Sequence, residues 1–342
     1  MNDIREVAKL ADVSIATVSN AFNNPQKLSE KTLKRVFKAA KELDYYPNRM
    51  ASGLAGNKKS RMIGIIVSDV FNISYIHIMK GIMDVVSKYG YTSLLFNANM
   101  DVEKEVEAAR SLIEYRVAGV VITGTSVITR TDHISKMIDN GIAVVTTNRR
   151  FDLCDSAQTS MEKALVDMMR RLRDLGHTEL GVVVPPLYDE KNERTSRYER
   201  LQMTIRVAEE TGLSYDPANL TVSNSSAFEE GVRIAQEWVD QKRHIPSVVY
   251  VIHDRVASGL VTGLRRNGVR VPQDVSVIGS FAHEISQYCD PPLDTIDTKD
   301  EEMGNMAGQI LLRRIEEPNH EIEHGRCEAV YVQRGSVARA RR

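Results

Sequence analysis

Five consecutive residues, His320-Glu321-Ile322-Glu323-His324, carry the H-E-x-x-H spacing that on a helix sets two imidazoles around zinc with the glutamate as base. Pro318 and Asn319 precede them and Gly325 follows, so the run reads as a loop leading into the final strand rather than the helix that zinc chemistry needs. Gly119 and Gly124 have phosphate-loop spacing, but no Lys-Ser/Thr follows, and no G-x-G-x-x-G opens a helix. Cys154, Cys289 and Cys327 are widely spaced and form no C-x-x-C, a pattern that fits a reduced cytoplasm. These patterns imply no catalytic residue, no metal and no cofactor.

The residues with chemistry left to do lie at the other end of the chain. DIREVAKLADVSIATVSNAF, from Asp3 to Phe22, reads as two short helices and a tight turn. Asp3 and Glu6 form a capping box, and Val7, Leu10 and Ala11 share one face. Ala11-Asp12-Val13 makes the turn, and Ser14 caps a second helix that buries Val18, Ala21 and Phe22. A third helix opens at Ser29 and presents Leu33, Val36, Phe37, Ala40 and Leu43 at helical spacing, enough to close a three-helix bundle. The exposed N-terminal residues of the second helix would then be Ile15, Ala16 and Asn20, the part of a helix-turn-helix that reaches base edges in the major groove. Ile15 and Ala16 offer apolar contact, suited to a thymine methyl, and Asn20 can pair bidentately with adenine. Alternatively, Ile15 packs on its own helix and Asn20 touches phosphate. Thr17 and Ser19 suit phosphate contacts, and Asn23 the support of the turn.

Charge divides in the same place. Residues 1–61 carry 12 Lys/Arg against 6 Asp/Glu, while the rest of the 342-residue chain carries 33 against 40. A basic head on an acidic body fits nucleic-acid binding, although a solvated helix surface would give the same excess. The N-terminus has Asp3 and Glu6 where a signal peptide needs a basic region and an apolar run, and no 18-residue apolar stretch occurs, so neither export nor a membrane is expected.

From Ile63 the pattern alternates buried strands with amphipathic helices: Ile63 to Val67, Thr92 to Phe96, Gly119 to Thr123 and Ala143 to Thr147, then Gly181 to Pro185, Ser247 to Ile252 and Val275 to Gly279. Two parallel α/β lobes follow from this. Between head and body, Pro47 ends the preceding element and Asn48 caps a short helix that Gly53, Gly56 and Asn57 make marginal.

VAKLADVS followed by ATVSNAFN, with Tyr46-Pro47-Asn48 and Leu54 beyond, resembles the LacI/GalR family of bacterial transcription regulators. The likeness continues through RMIGIIVSD, the RVAGVVI from Arg116, LGHTELGVV, VRVPQDVSVIG and YCDPPLDTI, covering residues 3 to about 335. It implies an all-α helix-turn-helix head (1–46), a hinge helix and linker (47–60) and a two-lobed, periplasmic-binding-protein-like α/β core (61–342). Lobe 1 would take about 61–160 and 291–321, and lobe 2 about 161–290 and 322–338, with crossovers near 160, 290 and 322. The family inserts a hinge leucine into the minor groove; Leu54 falls at that position, with Ser52, Gly53 and Ala55 where many members carry Arg, Ser and a basic residue. Gly53→Ala is expected to tighten DNA binding by favouring the helix.

For the core the resemblance implies effector contacts at Tyr75, Asn148, Arg197 and Asp254, with Arg149 nearby. Arg197 and Asp254 would face each other across the cleft to orient a ligand, or form a structural ion pair. Asn148 stands in place of the usual Asp, Ser160-Met161 in place of Asp-Asn, and Ser280-Phe281-Ala282 in place of an aromatic-Asp-Asp run; with acids lost and arginines kept, an anionic effector fits better than a neutral sugar. The expected partners are double-stranded operator DNA, a small-molecule effector and a second copy of the chain, with no membrane. Dimer surfaces are expected on the helices around Ile76 to Val86 and Val256 to Leu264, and the terminal arginines of RGSVARARR are expected to be solvated. The absence of leucine heptads there argues against a tetramer. A sugar-transport component would explain only the core, and an enzyme neither end.

Overall fold

The computed structural model describes residues 3–46, 60–124, 130–187 and 196–341. Contacts divide the chain into a unit from Met1 to Ser60 and a unit from Arg61 to Arg342.

The first unit packs α1 (Ile4–Leu10), α2 (Ile15–Asn23) and α3 (Glu30–Glu42). The capping box at α1 is complete: Asp3 Oδ1 accepts from the amides of Arg5 (2.8 Å) and Glu6 (3.1 Å), and Glu6 Oε2 accepts from Asp3 N at 3.0 Å. Val7, Ala8, Ala11, Val18, Ala21, Val36, Ala39 and Ala40 form a core too small for loose packing, and Phe22 meets Phe37 and Tyr45 edge-on at 5.3 and 6.0 Å. Gly53 and Leu54, with the rest of the expected hinge, fall outside the described residues.

The second unit holds two six-stranded sheets. In the first, β1 (Met62–Val67), β2 (Thr92–Asn97), β3 (Gly119–Thr123), β4 (Ala143–Thr147), β5 (Asp155–Ser160) and β11 (His324–Glu328) lie in the order β11-β5-β4-β3-β1-β2, all parallel. In the second, β6 (Glu179–Val184), β7 (Ser214–Val222), β8 (Val248–Val251), β9 (Ser276–Ser280), β10 (Asp294–Asp297) and β12 (Val330–Val332) lie in the order β12-β10-β9-β8-β6-β7, with only β12 antiparallel. Helices α4 (Ile73–Val86), α5 (Val102–Glu114), α6 (Asp132–Asp139) and α12 (Asp300–Glu316) cover the first sheet. The second carries α7 (Glu162–Asp174), α8 (Ser196–Thr211), α9 (Phe228–Asp240), α10 (Asp254–Arg266) and the single turn α11 (Ile285–Tyr288).

Three expectations change. The second lobe crossing lies between β10 and α12, not near 290, because Asp294–Asp297 pairs with β9; the third lies between β11 and β12, not near 322. The H-E-x-x-H run accordingly ends in β11, where His324 Nδ1 meets Ser156 Oγ at 2.8 Å and Arg314 takes the carbonyls of His320 and Glu321; it is wiring between Arg314 and Asp155. Among the described residues no group of His, Cys, Asp and Glu could hold a metal ion, and no helix is long and apolar enough to cross a membrane.

Second, Val256, Ala257, Leu260, Val261 and Leu264 are buried within lobe 2, so α10 offers no apolar dimer face. Its Gly259 lies against Gly231 of α9, as Gly304 of α12 lies against Ile78 of α4; a Cβ at any of these glycines would collide with the opposite backbone. Third, the C-terminal arginines are a solvated tail only in part: Arg339 and Arg341 are exposed, but two of the four make specific contacts. Arg334 donates to Leu293 O (2.8 Å) and Ser286 Oγ (3.1 Å), and Arg341 pairs with Asp274.

Candidate functional site

In the head, the turn between α1 and α2 exists because Asp12 adopts φ 49° and Arg35 reaches from α3 to accept the chain's return, donating to Ala11 O at 2.5 Å and Asp12 O at 2.8 Å. This clasp could not be read from spacing, since it joins residues 23 and 24 positions apart. Ser14 then caps α2, its Oγ accepting from Thr17 N at 3.1 Å and meeting Thr17 Oγ1 at 2.9 Å. With Val18 and Ala21 turned inward, Ile15 is 47% exposed and Ala16 lies open beside it. Asn20 is half-buried and its Oδ1 accepts a 3.4 Å bond from Asn24 Nδ2, weak enough to exchange for a base. Ser19 Oγ accepts from Asn23 Nδ2 at 3.3 Å, so these two residues brace each other.

In the core, groups just beyond the C-terminal ends of the parallel strands of the two lobes come together, His283 meeting Ser74 and Arg197 and Arg149 both acting on Tyr75, at the place where doubly wound folds bind ligands. Tyr75 stands in the first turn of α4, started by Asn72, whose Oδ1 accepts from Ser74 N at 3.0 Å. Its ring occupies the space a side chain at Gly124 would need. Burial raises the Tyr75 hydroxyl above its ordinary pKa, and Arg197 opposes that rise. Arg149 follows β4 with its guanidinium 5.4 Å from the Phe151 ring, and burial brings it down to about 10. Arg197, second residue of α8, donates to Pro186 O at 3.4 Å and is likewise lowered by burial. Tyr75 is thus within electrostatic reach of both arginines.

Two expected contacts stand apart. Asn148 is exposed in a left-handed turn (φ 56°), its amide donating to Ala157 O at 3.0 Å. Asp254 belongs to lobe 2, as Arg197 does, so the two do not face each other across the lobes and make no ion pair. Its carboxylate is fully buried and accepts from Thr295 Oγ1 and His283 N, both at 2.7 Å. Burial pushes it up to about 7.

What the sequence reading missed is an aromatic wall on lobe 2. The Phe281 ring stacks on His283 (5.4 Å, 13°), takes the Arg200 guanidinium at 4.9 Å, and meets His253 edge-on at 5.5 Å. Phe281 holds φ 92° and Ala282 φ 54°, a costly pair of left-handed residues fixed by Phe281 N to Ile296 O (2.7 Å) and Ala282 N to Thr295 Oγ1 (3.3 Å). His283 Nε2 crosses to lobe 1, 3.1 Å from Ser74 Oγ. Burial first, then neighbouring positive charge, lowers His253 to about 4 and His283 to about 3, so both imidazoles are neutral at pH 7. The only sequence signal was the departure at Ser280-Phe281-Ala282.

A model of the lacI family of bacterial regulatory proteins matches residues 3–48, and one of the periplasmic binding protein-like domain matches 169–337. The HTH-type transcriptional repressor PurR of Vibrio campbellii is 30% identical over 350 residues, covering 98% of this chain and 99% of its own. The chain belongs to the lacI family. In fold, this LacI-family member is similar to the Lac repressor dimer bound to operator and the anti-inducer ONPF (TM-score 0.83, 22% identity, 98% and 99% coverage). It is also similar to a LacI family transcriptional regulator from Enterococcus faecium with bound ribose (TM-score 0.69, 24% identity, 82% and 100% coverage). Membership makes the chain a DNA-binding transcriptional repressor with an effector-binding core, and not an enzyme.

Proposed function

We propose that this repressor binds a palindromic operator as a homodimer in the cytoplasm, at the nucleoid, and that a small metabolite in the interlobe cleft sets its affinity for DNA. The observation that supports the DNA half is the start of α2: a closed three-helix core presents Ile15 and Ala16 exposed and Asn20 half-buried among the described residues of its unit. Ile15 and Ala16 lie against thymine methyls, Asn20 reads adenine, and Thr17, Ser19 and Asn23 set the height of the helix on the phosphates. Leu54 enters the minor groove at the operator centre. In the core, Tyr75 and Arg149 from lobe 1 and Arg197 from lobe 2 hold the effector, with Asn148 at the rim and Asp254 supporting the wall behind His283 rather than touching the ligand. The effector biases lobe closure, and lobe closure biases hinge pairing across the dimer.

Selection of DNA from a random pool by the full-length protein tests this. It should return a two-fold symmetric site, and Asn20→Ala should weaken binding to that site about tenfold or more while relaxing one symmetric adenine position, the cost of one bidentate base contact being about 1–3 kcal/mol. A pool with no consensus, or an Asn20→Ala protein with unchanged preference, would sink the reading.

A further inference from the structure

We propose that the lobe-2 wall of the cleft is an oxyanion receptor, in which Arg197 and Arg200 grip a carboxylate or phosphate of the effector. This rests on the reading of the cleft as the effector site and names the chemistry it selects. Three observations carry it. First, the two arginines are three residues apart on α8, on one helical face, half-buried. No carboxylate among the described residues lies within ion-pair distance of either; Arg197 has a single long bond to a carbonyl and Arg200 the face of Phe281. Two guanidiniums of like charge, partly removed from water and without a counter-charge among the described residues, are unfavourable alone and become favourable around an anion. Their forked N–H groups match the two oxygens of a carboxylate or the edge of a phosphate. The N-terminal position of Arg197 on a 16-residue helix adds a favourable dipole.

Second, two described acids of the cleft, Asp254 and Asp300, are otherwise engaged. Asp254 is spent on Thr295 and His283. Asp300 lies buried at the start of α12, with Oδ1 accepting from Thr298 Oγ1 at 2.8 Å and burial raising its pKa, so it is a weak counter-ion. A neutral polyol would need such carboxylates as acceptors, and the wall offers few. Third, buried polar atoms with no partner among the described residues remain at the end of β4, just beyond β8 and at the start of α12: Thr147 Oγ1, His253 Nδ1 and Asp300 Oδ2. Buried polar groups are normally satisfied, and these supply hydrogen-bonding positions for the hydroxyls of the same ligand. The effector class is therefore a hydroxylated organic anion.

The test uses the full chain, with sulfate as the probe against chloride at matched ionic strength. Sulfate stabilises proteins by exclusion as well, so the comparison between proteins is the readout. The unfolding midpoint of the wild type, and of a control Arg206→Gln altered on the exposed part of α8, should rise with sulfate and saturate in the millimolar range. In Arg197→Gln/Arg200→Gln the saturating part should vanish. Arg197→Lys, which keeps charge but loses the fork, should weaken it about tenfold, and remains informative if the double variant fails to fold. Calorimetry with gluconate, glucose 6-phosphate and glucose then separates the sources: gluconate alone marks a carboxylate site, the phosphate ester alone a phosphate site. Equal sulfate responses in wild type and variants, or tight binding of glucose without either anion, would overturn the proposal. Should the anion bind through these arginines yet leave operator affinity unchanged, the oxyanion site stands and the switch reading falls.

Discussion

At the scale of single residues, Asp254 shows how burial changes what a side chain is for. Its type and place suggested a ligand acceptor, but the two backbone and hydroxyl donors behind it claim both oxygens. A folded pKa of about 7 stands above the unfolded carboxylate value of about 3.9, so the native state holds its proton more tightly. The corresponding stability is full below pH 4 and is lost as pH rises through 7. His253 and His283 work in the opposite direction: with pKa values of about 4 and about 3, their contribution is full above the ordinary imidazole value and is lost as pH falls through those values. Asp254→Asn keeps one acceptor for His283 N and gives Thr295 a donor, while removing the titration. Relative to wild type, the variant should therefore gain stability between pH 5 and pH 8, by at most roughly 1.4 kcal/mol per pH unit. Urea midpoints at the two pH values measure this. Parallel behaviour of the two proteins would show that Asp254 does not hold its proton. The histidines are common to both, so their opposing trend cancels in the difference.

At the scale of elements, both lobes use the same device: a helix pair brought to backbone contact by glycine, Gly81 and Gly304 in lobe 1, Gly231 and Gly259 in lobe 2. Gly304→Ala must push α12 from α4, and overpacking of this kind costs about 1–3 kcal/mol, with the larger end expected because the obstacle is backbone. An unchanged denaturation midpoint in the core would mean that the helices can part freely. These contacts were invisible in sequence, where an isolated glycine inside a helix only lowers propensity. Strands were legible where they were apolar. The runs from Ile63, Gly119, Ala143, Gly181, Ser247 and Val275 form strands because burial on both faces demands continuous apolar residues, whereas the run from Thr92 forms the edge strand β2, open to solvent at Leu95. By contrast β5 reads DSAQTS, and β11 HGRCE; both are specified by partners far away, Arg314 on Asp155 and His324 on Ser156. That is why the lobe crossings were misplaced. The site shows the same limit: Tyr75 and Arg197 announce themselves by type and position, whereas Arg200 matters only because a left-handed turn delivers Phe281 beneath it.

At the scale of the whole molecule, one exposed apolar surface remains to be explained. With α10 withdrawn into lobe 2, the remaining expected dimer face is α4, whose Ile78, Ile82 and Val85 are buried in the lobe while Ile76 and Met83, seven residues apart and so on one side, are 44% and 49% exposed. Phe71, just before the helix, is 81% exposed. Large apolar side chains held open on the solvent face of this helix, beside the exposed His77, Lys80 and Asp84, suit the interface of the proposed dimer, where a two-fold axis would let each copy offer the same residues to the other. Replacing Ile76 by Asp and Met83 by Lys places charge at the centre of that contact without touching the core packing on the opposite face. The double variant should sediment as a monomer with an unchanged circular dichroism spectrum. Its operator affinity should fall by a factor of 100 or more, since two linked heads gain an effective concentration in the millimolar range that single heads lack. Its sulfate response should persist, because Arg197 and Arg200 belong to one protomer. A variant that remains dimeric would place the interface elsewhere; one that becomes monomeric yet binds the symmetric site with full affinity would show that each head recognises DNA alone.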